Sequence, residues 1–196
     1  LQNQSVMYTC KHLSDQPSVF MDPNTLKDDG TAALGSNSFS KDGKYFAYAI
    51  NDAGSDWQTI YVKNVETGKV LKDELKWAKF TGMAWKGDGF YYSRYESPEG
   101  SALSETNNGH KVYFHTLNTS QEQDKLVYEQ SDFPKRYLFA ETTEDENYLV
   151  INVSEGTSGS ILYLKDLKNT DAPLVQLNDN FDFDHYLSHS DGSTLF

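Results

Sequence analysis

An Asp-Gly turn set between an apolar strand and an aromatic one recurs along this chain, and it limits the possible folds more than any other feature. It reads Ser38-Phe39-Ser40-Lys41-Asp42-Gly43-Lys44-Tyr45-Phe46-Ala47-Tyr48, then Met83-Ala84-Trp85-Lys86-Gly87-Asp88-Gly89-Phe90-Tyr91-Tyr92. A degraded copy runs Glu141-Thr142-Thr143-Glu144-Asp145-Glu146-Asn147-Tyr148-Leu149-Val150, and a last one runs from Leu187 through Asp191-Gly192 to Phe196. The turn aspartates Asp42, Asp88, Asp145 and Asp191 stand 46, 57 and 46 residues apart. Self-similarity at roughly 40 to 50 residues is the period of antiparallel sheets arrayed as propeller blades. No helical periodicity is sustained, so the sequence predicts an all-β chain, part of a β-propeller.

On this ruler residues 1–34 read as the outer half of a blade, with strands at 5–9 and 18–21 and a linking loop from 23 to 34. Four-stranded units occupy 36–75, 79–129 and 136–177, and 182–196 begins another. That makes one partial domain, about three complete blades with parts of two others. Leu1 is no initiator methionine and Phe196 falls inside a repeat, so the chain reads as a fragment. The 57-residue interval exceeds its neighbours by 11. The surplus lies in the polar stretch from Ser93 to His110, and loops of that length inside a compact domain are commonly functional.

Composition narrows the partners. With 29 acidic against 17 basic residues the net charge is -12, which repels nucleic acid and anionic lipid, and no apolar run is long enough to span a membrane. One cysteine, Cys10, cannot form an internal disulfide, which suits the cytoplasm, with a bacterial periplasm as the alternative. No catalytic or cofactor motif is complete. Gly156-Thr157-Ser158-Gly159-Ser160 ends in Ser where a nucleophile elbow needs Gly and reads as a hairpin turn. His185 and His189 would share a face only on a helix, so no metal or cofactor is expected.

Equivalent positions across the repeats converge on one end of the sheets. Eight residues before each turn aspartate stand Leu34, Phe80, Tyr137 and Phe183, where the innermost strands start. Twelve residues after the first three stand Gly54, Gly100 and Thr157, past the far end of the next strand and so back at the same mouth. Phe80, Tyr137, Thr157, Asp56 and the long insertion therefore gather on one face.

The motifs Leu1-Gln2-Asn3-Gln4, Phe20-Met21-Asp22-Pro23-Asn24, Asp28-Asp29-Gly30-Thr31, Gly54-Ser55-Asp56-Trp57, Lys79-Phe80 with Met83-Ala84-Trp85, and Lys111-Val112-Tyr113-Phe114-His115 closely resemble the propeller of the prolyl oligopeptidase family of serine peptidases. The resemblance covers essentially the whole chain. It implies a seven-bladed propeller capping an α/β-hydrolase domain of the same, monomeric parent, where the catalytic triad resides. The cap would gate and line the active site and admit short proline-containing peptides. It further implies that Phe80 lines the apolar subsite for the substrate residue two before proline. Tyr137 and Thr157 stand where animal members carry methionine and cysteine, which alters the pocket wall, and Ser154 stands where they carry arginine, so the resemblance does not carry over charge-based contacts at that position. Asp56 would face the hydrolase domain, and the stretch from Ser93 to His110 resembles the mobile loop at the interdomain seam. The alternative is a stand-alone propeller serving as a protein-binding scaffold.

Overall fold

The computed structural model describes residues 3–27, 29–51, 54–97, 107–192 and 194–196. Leu1, Gln2, Asp28 and residues 98–106 of the insertion, Gly100 included, lie outside the described residues. Strands β1 (Met7–Thr9) and β2 (Ser18–Met21) form a separate hairpin. Strands β3 (Ala33–Phe39), β4 (Tyr45–Asn51), β5 (Gln58–Asn64) and β6 (Val70–Ala78) form an antiparallel meander. A second meander follows in β7 (Ala84–Lys86), β8 (Gly89–Arg94), β9 (Lys111–Thr116) and β10 (Lys125–Tyr128), and a third in β11 (Tyr137–Thr142), β12 (Tyr148–Ser154), β13 (Ile161–Asp166) and β14 (Val175–Gln176). One pair, Ala78 with Arg94, joins β6 to β8.

The first meander is longer than the 36–75 window at both ends. Leu34 packs against the Met21 cluster, while Leu75 and Ala78 are fully buried, so apolar burial carries β3 and β6 past the charged stretch at which the pattern breaks. Past residue 182 the described chain holds a single bridge, Ser190 with Leu195, and no named strand.

The strands of the first two meanders are apolar on both faces because each of those meanders packs on both sides. In β8, Phe90 and Tyr92 pack with Ala47, Ala49, Ile60 and Leu75 of the first meander, whereas Tyr91 joins Leu138, Leu149 and Ile151 of the third. In β4, Phe46 and Tyr48 turn the other way, toward Met21 of the β1–β2 hairpin. Side chains two apart share a face, so a run such as Phe90-Tyr91-Tyr92 supplies two cores at once. Each fully buried aromatic contributes about 2 to 3 kcal/mol.

The recurring turn takes two forms. Ser40 Oγ donates to Asp42 Oδ1 (2.8 Å) and accepts from the Tyr45 amide (2.9 Å). Thr143 Oγ1 does the same with Asp145 (2.6 Å) and the Tyr148 amide (3.1 Å). Gly43 is left-handed at φ +70, and Glu146 holds the matching position at φ +56. Its retention against a glycine preference has a local cause: Glu146 Oε2 accepts from the Gly87 amide (2.9 Å) and its carbonyl accepts from Lys86 Nζ (2.7 Å). The Asp88 turn is a tight hairpin in which Lys86 pairs with Gly89. Any Cβ on Gly89 would strike the His115 carbonyl oxygen. Inner strands are also linked directly, Trp85 Nε1 donating to Ser38 Oγ (2.9 Å) and Thr142 Oγ1 to the Trp85 carbonyl (3.0 Å).

Candidate functional site: an aromatic mouth

Where β6 ends, β8 ends and β11 begins, aromatic side chains accumulate around one buried cation. Phe80 lies in the segment between β6 and β7 and Tyr137 opens β11, and their rings meet edge to face at 5.3 Å and 89°. Phe80 stays 43% exposed, so part of its side chain remains accessible from outside. Its backbone is left-handed (φ +51), as is that of Trp77 (φ +61), a conformation that costs an L-residue about 1 to 2 kcal/mol and is typically retained where surrounding contacts require it. Phe80→Gly is therefore expected to be about 1 kcal/mol more stable than Phe80→Ala in urea unfolding; the reverse order would show that the left-handed backbone is not maintained.

Lys79 lies against the Phe80 ring. Its ammonium lies 5.2 Å from the Trp57 ring, 5.1 Å from the Phe80 ring and 3.4 Å from Asp56 Oδ2. The aliphatic stem is buried while Asp56 remains exposed, so the carboxylate rests on a tethered cation. Behind the rings stands His110, 2% exposed. The Leu138 amide donates to its Nδ1 (3.0 Å), which leaves the proton on Nε2, and Nε2 donates to the Lys79 carbonyl (2.9 Å). Burial pushes the imidazole pKa down to about 4, against a smaller opposing effect of the Lys79 carbonyl, so the ring is neutral near pH 7. Tyr95 stacks on it at 4.6 Å and 22°, and burial raises that phenol to about 12.

Of the residues singled out by spacing, the fold brings Phe80, Tyr137 and, through Lys79, Asp56 together. Thr157 sits one step along, in the turn between β12 and β13, where it borders a cavity of about 410 Å3 with Phe139, Asn152, Ser154, Asp184 and Tyr186. Phe139 connects the two regions, since its ring lies 6.3 Å from that of His110. The insertion is shorter than the sequence suggested at its first end. Ser93 belongs to β8, paired with Val112 and 0% exposed, because the β8–β9 ladder continues through Arg94. Its Oγ donates to the Leu138 carbonyl (2.6 Å) and its amide to Thr81 Oγ1 (2.7 Å). Ser93 and His110 therefore face the neighbouring sheet rather than an outer surface. Sequence reasoning missed Lys79, Trp57, Tyr95 and Phe139. The local density of aromatics around positions 77–80 and 91–95 pointed toward Lys79 and Tyr95, and nothing comparable marked Trp57 or Phe139.

Meanders of antiparallel strands stacked face to face and bonded inner strand to inner strand define a segment of β-propeller. The family model described as prolyl oligopeptidase, N-terminal β-propeller domain, matches residues 1–196. The chain belongs to that family. It is 45% identical over 198 residues to a prolyl endopeptidase of Elizabethkingia meningoseptica, covering all of this chain and 28% of that protein. Among solved structures, prolyl oligopeptidase B of Galerina marginata bound to a 35mer hydrolysis and macrocyclization substrate superposes with a TM-score of 0.88 at 30% identity, covering all of this chain and 30% of that one. One of two prolyl endopeptidases analysed for inter-domain dynamics superposes at 0.82 with 34% identity over 92% of this chain and 25% of that one. The chain thus spans under a third of the length of such relatives.

Proposed function

We propose that this chain is the propeller portion of a prolyl oligopeptidase, a serine peptidase that cleaves short peptides after proline, and that it gates and lines the active site without contributing the nucleophile. Its working partners are the hydrolase domain of its own parent and short proline-containing peptides, in a monomeric parent of the cytoplasm or a bacterial periplasm. The observation that carries this reading is Phe80: a half-exposed ring kept in a left-handed backbone, braced edge to face by Tyr137 and met by the Lys79 ammonium. Pre-positioned aromatic surface of this kind suits an apolar substrate side chain, since little ordering is left to occur on binding. Asp56 and Lys79 stand at the rim, where a charged pair can meet a facing domain.

In the full-length peptidase, Phe80→Ala is expected to raise KM about tenfold for peptides with an apolar residue two before proline, a loss of the order of one buried aromatic contact. Reporters that stop at the residue before proline should change little. Equal effects on the two substrates in steady-state kinetics would sink the assignment.

A further inference from the structure

His110 bridges the backbone beside both members of the aromatic pair. Its Nε2 holds the carbonyl of Lys79, the residue before Phe80, and its Nδ1 holds the amide of Leu138, the residue after Tyr137. The other polar group of Leu138, its carbonyl, is held by Ser93 Oγ. The segment that leaves β6 and the start of β11, which belong to different sheets, are thereby tied through one buried ring. The same ring is where the two described stems of the long insertion converge: Tyr95 stacks on it and donates its amide to the Trp77 carbonyl (3.1 Å), while Gly109, the preceding residue, donates its amide to the Pro134 carbonyl (2.7 Å).

Resting on the reading above, we infer that His110 is a positioning residue for substrate, setting the angle and separation of the Phe80–Tyr137 pair and coupling it to the insertion stems at Tyr95 and Gly109. The left-handed backbone of Phe80 makes the coupling effective, since the residue does not relax back to the same place once its preceding carbonyl is released. No apolar side chain substitutes, because the Lys79 carbonyl and Leu138 amide would each lose a buried partner. A shift of an ångström at such a contact is felt in binding as well as in chemistry.

Two isosteres separate the two bonds. His110→Gln offers an amide nitrogen near the place of Nε2, and His110→Asn an amide oxygen near the place of Nδ1. Each is expected to raise KM for the longer peptide about fivefold, the equivalent of one net hydrogen bond, with kcat little changed and the short reporter unaffected. Equal changes for both substrate lengths, or none, overturn the inference. Phe80→Ala run in parallel distinguishes the failures. If it does not separate the substrates, the pocket reading itself fails; if it does and the His110 variants do not, only this inference fails. Should both variants fail to fold, histidine-labelled enzyme that keeps His110 and has its hydrolase serine replaced supplies the answer by nitrogen NMR. The Nε2–H tautomer and a shift of the His110 ring nitrogens on adding the longer peptide are expected, and ring signals unmoved by peptide overturn it.

Discussion

His115→Leu is expected to lose about 3 to 5 kcal/mol of unfolding free energy, the cost of leaving buried carboxylates without their cation. His115 of β9 donates from Nδ1 to Asp124 Oδ1 (2.6 Å) and from Nε2 to Asp73 Oδ1 (2.8 Å), and all three side chains are wholly buried. Tyr92 adds a bond to Asp124 Oδ2 (2.6 Å) and the Asn118 amide one to Asp73 (2.6 Å), while Asp73 Oδ2 is left without a partner. Burial alone would lower the imidazole pKa. The bonds that the ring donates to Asp124 and Asp73, together with their charges, outweigh it and raise the pKa to about 9. With both nitrogens donating, the ring is a cation across the physiological range. Because the folded pKa lies above the ordinary 6.5, its stabilisation is complete below pH 6.5 and declines at about 1.4 kcal/mol per unit as pH rises toward 9. His110 works in the opposite sense: its folded pKa of about 4 lies below the ordinary value, so stability declines as pH falls from 6.5 toward 4. Urea midpoints across pH should pass through a maximum near 6.5, and the alkaline decline should vanish in His115→Leu. A variant as stable as wild type at pH 7 would refute the buried cation.

Gly159→Ala is the second large effect, expected at about 2 to 4 kcal/mol. Gly159 is left-handed (φ +80), and a Cβ there would run into the Phe181 backbone carbonyl, which a flexible side chain cannot relieve. Its amide also donates to Asp184 Oδ1 (2.7 Å), beside Ser160 Oγ, which donates to the His185 carbonyl (3.0 Å) and accepts from the His185 amide (2.7 Å). The substitution should therefore detach the 181–185 segment from the turn that carries Thr157. Hydrogen exchange at the His185 amide reports this directly, and unchanged protection with an unchanged melting temperature would refute it.

Much of this was open to sequence reasoning because the repeat supplies a ruler. Counting back from Asp88 and Asp145 reached Phe80 and Tyr137, which lie 57 residues apart and touch. The strand read at 18–21 has its observed bounds in β2. What escaped was decided by partners far away along the chain. Asp73 sits in Lys72-Asp73-Glu74, which reads as a solvated edge, and is buried where His115, 42 residues on, and the Asn118 amide meet it. β6 ran past its expected end for the same reason, its inward face being defined by β5 and β8. Ser93 and His110 looked like loop termini because polar residues between strands usually are, yet each spends its polarity on Leu138 of the next sheet. The left-handed backbones at Trp77 and Phe80 carry no local signature, since neither residue favours that region.

The glutamate at position 146 bears on how such a protein can be rebuilt. An engineer idealising these repeats into interchangeable modules would restore glycine there, relieving a strained backbone. The same edit would strip the Gly87 amide of its acceptor in the adjoining module. Modularity in this chain is therefore incomplete: one unit's departure from consensus is a neighbour's fastening, and its units can be standardised only in pairs.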